Sequence, residues 1–237
     1  MTPRLVIRPY ILDPRLPATS FEPPSSHYDD IASTNWTAGK PPSKKEYFEK
    51  KFTGGEEALK AFEQKIDKNA KEAGVDWKWT WRSENAKVGA TWDAHRLVWL
   101  AGEVAQEGAS SGASELLLDA AQSDDDKYPA SRQEVSMERL YKAFHTTDDA
   151  QMDLSNRDYT SRLAHELGLF ASVQEAKNWL ESDAGDSELA QALMVAQMNG
   201  VQSVPFFVIQ DGSDHLNGSG SYDEFMKMFD MAAALHR

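Results

Sequence analysis

The chain has 237 residues, of which 41% are hydrophobic and 10% aromatic, enough for one large domain or a compact pair around an apolar core. Its formal net charge of −13 repels phosphate backbones, so we expect no nucleic-acid partner. It contains no cysteine, which excludes disulfides, thiolate nucleophiles, thiolate zinc sites and Cys-x-x-Cys redox chemistry.

The N-terminal region holds a short predicted strand followed by a long loop. Residues 5–12 have the apolar composition of a strand, and Pro9 restricts that strand to a sheet edge or a strand end. Residues 13–42 are rich in Pro, Ser and Asp and are typical of a loop. Neither a signal peptide nor a transmembrane stretch is present in the sequence, so we expect a cytoplasmic protein without a membrane partner.

Helical patterns occupy the middle of the chain. Ser43 with Glu46 forms a capping box, in which each side chain accepts a hydrogen bond from the other residue's backbone N–H. Apolar residues then recur every three or four positions in successive segments. The predicted helices are residues 43–51, 56–73, 92–106, 137–144, 157–168, 173–181 and 187–199.

Three tryptophans alternate with polar residues between the second and third of these helices. Trp77, Trp79 and Trp81 are separated by Lys78 and Thr80, which is the period of an extended chain. This pattern favours a strand or extended segment that buries one indole face over a binding role.

Residues 107–135 have a different composition from their neighbours. They are rich in Gly, Ala and Ser, with an apolar patch at Leu116–Leu118 and an acidic triplet at Asp124–Asp126. The triplet lacks the glycine and glutamate spacing of an EF-hand loop, so we predict a solvated, flexible insertion over residues 108–134. The six histidines also lack metal-ligand spacing, and we expect no metal site.

After Gly200 the pattern changes from helix to strand. Residues 204–209 predict a buried strand, residues 215–218 a short return strand, and Ser221 with Glu224 caps a final helix. The order of strand, helical block, hairpin and helix predicts an α/β protein with a helical insertion.

Three short stretches follow one another in an informative order. They are Arg8-Pro9-Tyr10-Ile11-Leu12-Asp13-Pro14, then Trp92-Asp93-Ala94-His95-Arg96-Leu97, then Gly200-Val201-Gln202-Ser203-Val204-Pro205-Phe206-Phe207-Val208-Ile209 with Asn217-Gly218 behind it. Together they resemble the DsbA-like thioredoxin proteins of the FrnE branch. The kappa-class glutathione transferases and the 2-hydroxychromene-2-carboxylate isomerases are related families with the same architecture.

The resemblance implies an α/β thioredoxin-like fold interrupted by a large helical subdomain. Residues 1–17 and 200–237 would form the thioredoxin-like part, and residues 43–199 the helical insertion. Residues 18–42 would be a loop and residues 108–134 a flexible insertion within that scheme.

The resemblance also implies a substrate groove. In the family the peptide bond before the Phe-Phe strand is cis and faces the redox site, so we expect Val204–Pro205 to be cis, with a trans proline at the strand start as the alternative. The family helix that corresponds to residues 92–106 faces the same groove, which adds Asp93, His95 and Arg96 to the expected substrate-binding residues. From the residues alone, Asp93 capping this helix and Arg96 pairing on its surface is the other interpretation.

The chain departs from the family at its start. Family members open with a strand and a helix that carries Cys-Pro-x-Cys, or a serine in the glutathione-dependent branch, and only then reach the strand that residues 5–12 resemble. We therefore expect a truncated member whose central strand is missing. The retained strands would form an incomplete, three-stranded sheet, and they would either pair directly or leave a gap that recruits a partner strand.

Three functions remain open on this evidence. The first is a DsbA-like, FrnE-like oxidoreductase family member that cannot itself carry out dithiol chemistry, with no catalytic residue to assign. The second is a glutathione-dependent isomerase or transferase, for which glutathione would be the cofactor. The third is a non-catalytic protein that binds a peptide or small molecule in the groove, either as a single chain or as a homo-oligomer.

Overall fold

The computed structural model describes residues 7–11, 13, 16–22, 39–106, 131–209, 214–218 and 220–234. Within these ranges the chain forms eight helices and two strands. In chain order they are α1 (Lys44–Lys51), α2 (Gly55–Glu72), α3 (Trp92–Gln106), α4 (Arg132–Thr146), α5 (Arg157–Glu166), α6 (Val173–Glu181), α7 (Asp186–Met198), β1 (Phe206–Ile209), β2 (Asp214–Asn217) and α8 (Tyr222–Ala234). The protein is thus mostly helical with a small antiparallel sheet, which agrees with an α/β assignment at that level. None of the described helices is both long and apolar enough to cross a membrane.

Capping residues fix where the helices begin. At α1 the Glu46 carboxylate accepts from the Ser43 N–H at 2.7 Å while Ser43 Oγ accepts from the Glu46 N–H, which confirms the predicted capping box. A second box, of Ser131 and Glu134, opens α4. It was not predicted, and it places residues 131–134 at the start of a helix. The rest of the predicted insertion, including Leu116–Leu118, lies outside the described residues.

The hydrophobic core lies between the helices. Helix α3 is its centre: Leu97 and Ala101 are completely buried, and the helix packs against α4, α5 and α7. A separate cluster joins α1 and α2 to residues 77–81, which contain three tryptophans and are called the tryptophan segment below. Its buried members are Leu16, Tyr47, Phe48, Leu59, Trp81 and Val88.

Residues 77–80 of the tryptophan segment have no regular secondary structure and Trp81 lies in a turn, so the segment does not join a sheet. The rings of Trp79 and Trp81 stack with centroids 5.3 Å apart, and Trp77 lies 5.5 Å from Trp79, so the three indoles share one face. The backbone N–H of Thr80 donates to the His145 carbonyl at 2.9 Å, which ties the segment to the end of α4.

The sheet differs from the predicted one. Within the described residues it has two strands, β1 and β2, paired from Phe206 opposite Asn217 to Ile209 opposite Asp214. The prediction of a third strand at residues 5–12 is wrong for residues 7–11, which form none. The prediction of a buried strand is also wrong, because the side chain of Val208 is 56% exposed.

Residues 16–22, at the start of the predicted loop, are tied to the helical body. Thr19 Oγ1 donates to Asp153 Oδ2 at 2.5 Å, and the Thr19 N–H donates to Ser155 Oγ at 3.1 Å. Ser155 Oγ in turn donates to Asp153 Oδ1 at 2.5 Å. Gly89 lies against this network so closely that a Cβ there would be 2.1 Å from Ser155 Oγ. Residues 16–22 are therefore held against the turn before α5.

Candidate functional site

The loop before β1 contains the predicted cis peptide. The Val204–Pro205 bond is cis, which confirms that prediction. The Pro205 carbonyl accepts from the Gly218 N–H at 2.8 Å, and Ser203 Oγ lies 2.8 Å from Asn217 Oδ1, so the loop is anchored to the end of β2. The side chain of Val204 remains 45% exposed beside it.

A cleft of about 560 Å³ opens next to this loop. One wall is the N-terminal segment 8–10, the second is the outer side of β1, and the third is α7 with Trp99 of α3. The residues that line it are Arg8, Pro9, Tyr10, Trp99, Glu188, Gln191, Ala192, Val195, Ala196, Asn199, Val201, Val204, Phe206 and Val208. Apolar side chains form most of this surface, with a few polar groups among them, as in many ligand sites.

The hydrogen-bond register of the hairpin leaves part of the β1 backbone unpaired by β2. Pro205 and Gly218 form a hydrogen-bonded pair, and such pairs alternate along an antiparallel ladder. Phe207 is therefore directed toward β2, while the N–H and C=O groups of Phe206 and Val208 are directed to the other side. Phe206 and Val208 line the cleft and Phe207 does not, which is the alternation of side chains on one face of a strand. The cleft thus lies over that face of β1, next to the edge that has no partner strand within the described residues.

The N-terminal segment faces this edge without pairing with it. Within the described residues no backbone hydrogen bond joins residues 7–11 to β1. Instead the Ile7 N–H donates to Gln133 Oε1 at 2.9 Å, and Gln133 Nε2 donates to the Ile7 carbonyl at 3.0 Å. The buried amide of α4 thus occupies both backbone groups of Ile7, which explains why this residue joins no ladder. The direct pairing expected between residues 5–12 and β1 is therefore absent over residues 7–11.

The structure places Arg96 inside the protein, which corrects its expected roles. Its side chain is fully buried and forms a salt bridge with Asp93, Nη1 to Oδ1 at 2.7 Å. The remaining guanidinium N–H groups donate to backbone carbonyls at and after the end of α6, including Ser182 and Ala184 at 2.7 Å each. Arg96 is therefore neither a surface partner nor a ligand-binding group in the cleft. It holds the turn between α6 and α7 to α3.

Asp93 and His95 are structural in the same region. The second carboxylate oxygen of Asp93 accepts from Arg157 Nε at 2.8 Å, so this buried residue joins α3 to α5. His95 is half-buried, and burial lowers the pKa of its imidazole to about 4, which keeps it neutral at pH 7. The described lining of the cleft contains Val204 and none of these three α3 residues.

The residues that sequence reasoning missed are those of α7. Glu188, Gln191 and Val195 face the cleft from one side of this helix. The sequence does contain a signal, because α7 is apolar on more than one face and leaves Met194 and Met198 exposed. A surface helix of that kind indicates a face that the described residues do not cover.

The polar groups of the cleft suit hydrogen bonding rather than acid–base or metal chemistry. Arg8, Glu188, Gln191 and Asn199 could bind the backbone of a peptide or of a tripeptide such as glutathione. In the described part of the chain no group of three or more His, Asp and Glu side chains is arranged to hold a metal ion. No protein-family model matches the chain, and no curated protein matches it.

Proposed function

We propose that this chain is a cysteine-free member of the DsbA-like thioredoxin-fold family, in its FrnE-like branch, and that it binds an extended polypeptide segment without catalysing disulfide exchange. The observation that carries the proposal is the cleft between residues 8–10, β1 and α7, which lies beside the edge of β1 that has no partner strand within the described residues.

The edge of β1 offers what an extended peptide requires. Adjacent strands lie about 4.8 Å apart, so a peptide laid along β1 could pair with the N–H and C=O groups of Phe206 and Val208. Its alternate side chains would meet the apolar surface formed by Val195, Val204 and Trp99. Backbone pairing would supply affinity that depends little on sequence, and the side-chain contacts would supply selectivity.

The arrangement around the cleft supports the family assignment. A cis X-Pro bond precedes β1, the β1–β2 hairpin leads into α8, and residues 8–10 lie across the cleft from β1. These parts belong to residues 1–17 and 200–237, where the resemblance implies the thioredoxin-like portion. Catalysis of disulfide exchange requires a thiolate, and these 237 residues contain no cysteine.

Hydrogen exchange at single amides tests the proposal directly. The probe is the S-carboxymethylated insulin B chain, an extended peptide without a free thiol. In the free protein we expect the Phe206 and Val208 amides to exchange faster than that of Phe207, and the probe should slow the first two selectively. Unchanged exchange at Phe206 and Val208 at a saturating probe concentration would contradict peptide binding at this edge.

Two proline variants give a matched pair for the same experiment. Val208→Pro removes an N–H that is directed away from β2, whereas His215→Pro removes the N–H of the residue opposite it, on the outer edge of β2. We expect the first variant to lose binding and the second to keep it. Equal affinity of both variants would exclude β1 as the binding edge. Glutathione added alone tests the alternative of a glutathione-dependent isomerase or transferase. Slower exchange of the same amides with glutathione, together with turnover of an aromatic substrate, would favour that alternative.

A further inference from the structure

A second groove, which shares no lining residue with the first, lies between α2 and the tryptophan segment. Its volume is about 630 Å³. Its lining includes Glu63, Gln64 and Asp67 of α2 together with Trp77, Lys78, Trp79, Arg82 and Asp148. This groove plays no part in the proposed peptide binding.

Trp77 is the feature that packing does not explain. Trp79 and Trp81 belong to the cluster that joins α1 and α2, whereas Trp77 lies outside that cluster and its ring contacts Trp79 at 5.5 Å. Trp77 and Trp79 are both half-buried, so part of each indole faces the groove. A tryptophan that adds little to the core but extends a row of indoles into a groove is an aromatic surface available to a ligand.

Two ion pairs lie beside these indoles, and Lys78 and Asp148, which are opposite in charge, also line the groove. Arg82 binds both oxygens of Glu63 at 2.9 Å and also contacts Glu56. Lys71 binds Asp67 at 2.7 Å. The groove therefore presents fixed, planar polar groups without a strong demand for a charged ligand. The exposed amide of Gln64 adds a further donor and acceptor.

We propose that this groove binds a neutral carbohydrate. The C–H face of a pyranose ring is flat and apolar and would lie on the indole of Trp77, while its rim of hydroxyl groups would bond to the Arg82–Glu63 pair and to Gln64.

Titration of tryptophan fluorescence tests this proposal. Three probes differ in linkage and substituents: cellotetraose, maltotetraose and chitotetraose. At least one should bind in the micromolar to millimolar range with a change in emission. Trp77→Ala should weaken that binding by roughly tenfold or more, since stacking and hydrogen-bond losses of this size equal about 1.4 kcal/mol. Because Trp77 lies outside the core cluster, this variant should remain folded, which circular dichroism checks.

Matched variants separate a local effect from a general one. Tyr222→Ala removes an aromatic side chain that is 76% exposed on α8, and Gln174→Ala is the counterpart of Gln64→Ala on another helix. Binding should fall in Trp77→Ala and Gln64→Ala and stay unchanged in the two controls. The proposal is overturned if none of the three probes binds at millimolar concentration, if all four variants bind equally, or if spermidine binds in the groove and the saccharides do not.

Discussion

Asp93 Oδ1 and Arg96 Nη1 lie 2.7 Å apart in the interior, one turn from each other on α3, with both side chains shielded from solvent. Burial makes this pair a structural requirement, because removing Arg96 leaves the Asp93 carboxylate with Arg157 in place of two cationic partners, in a medium that solvates charge poorly. The same guanidinium also binds the carbonyls that follow α6.

We predict that Arg96→Met lowers the free energy of unfolding by about 3–5 kcal/mol, the range measured when one partner of a buried pair is removed. Arg96→Lys should fall between the wild type and Arg96→Met, because an ammonium group keeps the charge but cannot reach acceptors on several sides at once. Urea denaturation measures both. Arg162→Met is the control, since Arg162 is exposed, and it should leave stability close to that of the wild type. A tolerated Arg96→Met would contradict the structural role.

His145 should make the protein less stable in acid. Burial, and secondarily the charge of Lys44, lowers the pKa of His145 to about 4 in the folded state, below the ordinary 6.5 that it has when unfolded. The unfolded state therefore binds the proton more readily, so this contribution to stability is complete above pH 6.5 and is lost as the pH falls toward 4.

The variant His145→Phe isolates this effect, because it keeps an aromatic ring among Trp79, Trp81 and Phe144 and removes the titrating group. We expect the loss of stability between pH 7 and pH 5 to be smaller in His145→Phe than in the wild type, as measured by chemical denaturation at both pH values. His215→Phe, at an exposed position on β2, is the control and should behave like the wild type. Identical pH dependence in all three proteins would show that His145 does not contribute.

The open edge of β1 should promote self-association. Val208 is 56% exposed on a strand with unpaired backbone groups, a combination that favours pairing with another chain. We predict that the average mass in sedimentation velocity rises with protein concentration. Val208→Lys should weaken this association by roughly tenfold or more. Val173→Lys places the same charge on α6, away from the cleft, and should have no such effect. A wild-type protein that stays monomeric over the whole range would contradict this prediction.

Gly89 should tolerate no side chain. A Cβ at this position would approach Ser155 Oγ to 2.1 Å and Ser155 Cβ to 2.6 Å, so the backbone or the serine would have to move. We expect Gly89→Ala to lower stability by about 1–3 kcal/mol, the usual cost of overpacking. It should also speed hydrogen exchange at the Thr19 amide, which donates to Ser155 Oγ. Wild-type exchange at Thr19 together with wild-type stability would be the contrary result.

Local signals in the sequence predicted most of the helices. The capping box at Ser43 and the regular apolar spacing of residues 92–106 and 173–181 gave boundaries that the structure reproduces closely. The box at Ser131 was missed because the neighbouring low-complexity composition extended the predicted insertion past it. The cis bond at Val204–Pro205 followed from the resemblance, not from any local pattern.

Long-range partners could not be read in the same way. The backbone of Ile7 pairs with the side chain of Gln133, so an apolar, strand-like sequence forms no strand. Arg96 was expected at a surface or a groove because its acceptors lie after α6, almost a hundred residues away in the chain. Nothing in the residues around Arg96 indicates those carbonyls. The residues that line the cleft could not be predicted from the sequence for the same reason.

The separation of Arg8–Tyr10 from Val204–Val208 along the chain has a consequence for the order of folding. The cleft can exist only after nearly the whole polypeptide has been closed into one loop, and closing a long loop costs more chain entropy than forming the local contacts of the helices. The helical body should therefore fold first and the cleft should assemble last. Before the cleft assembles, β1 and residues 8–10 are both exposed to solvent. Other chains can bind to these exposed segments most easily during that period.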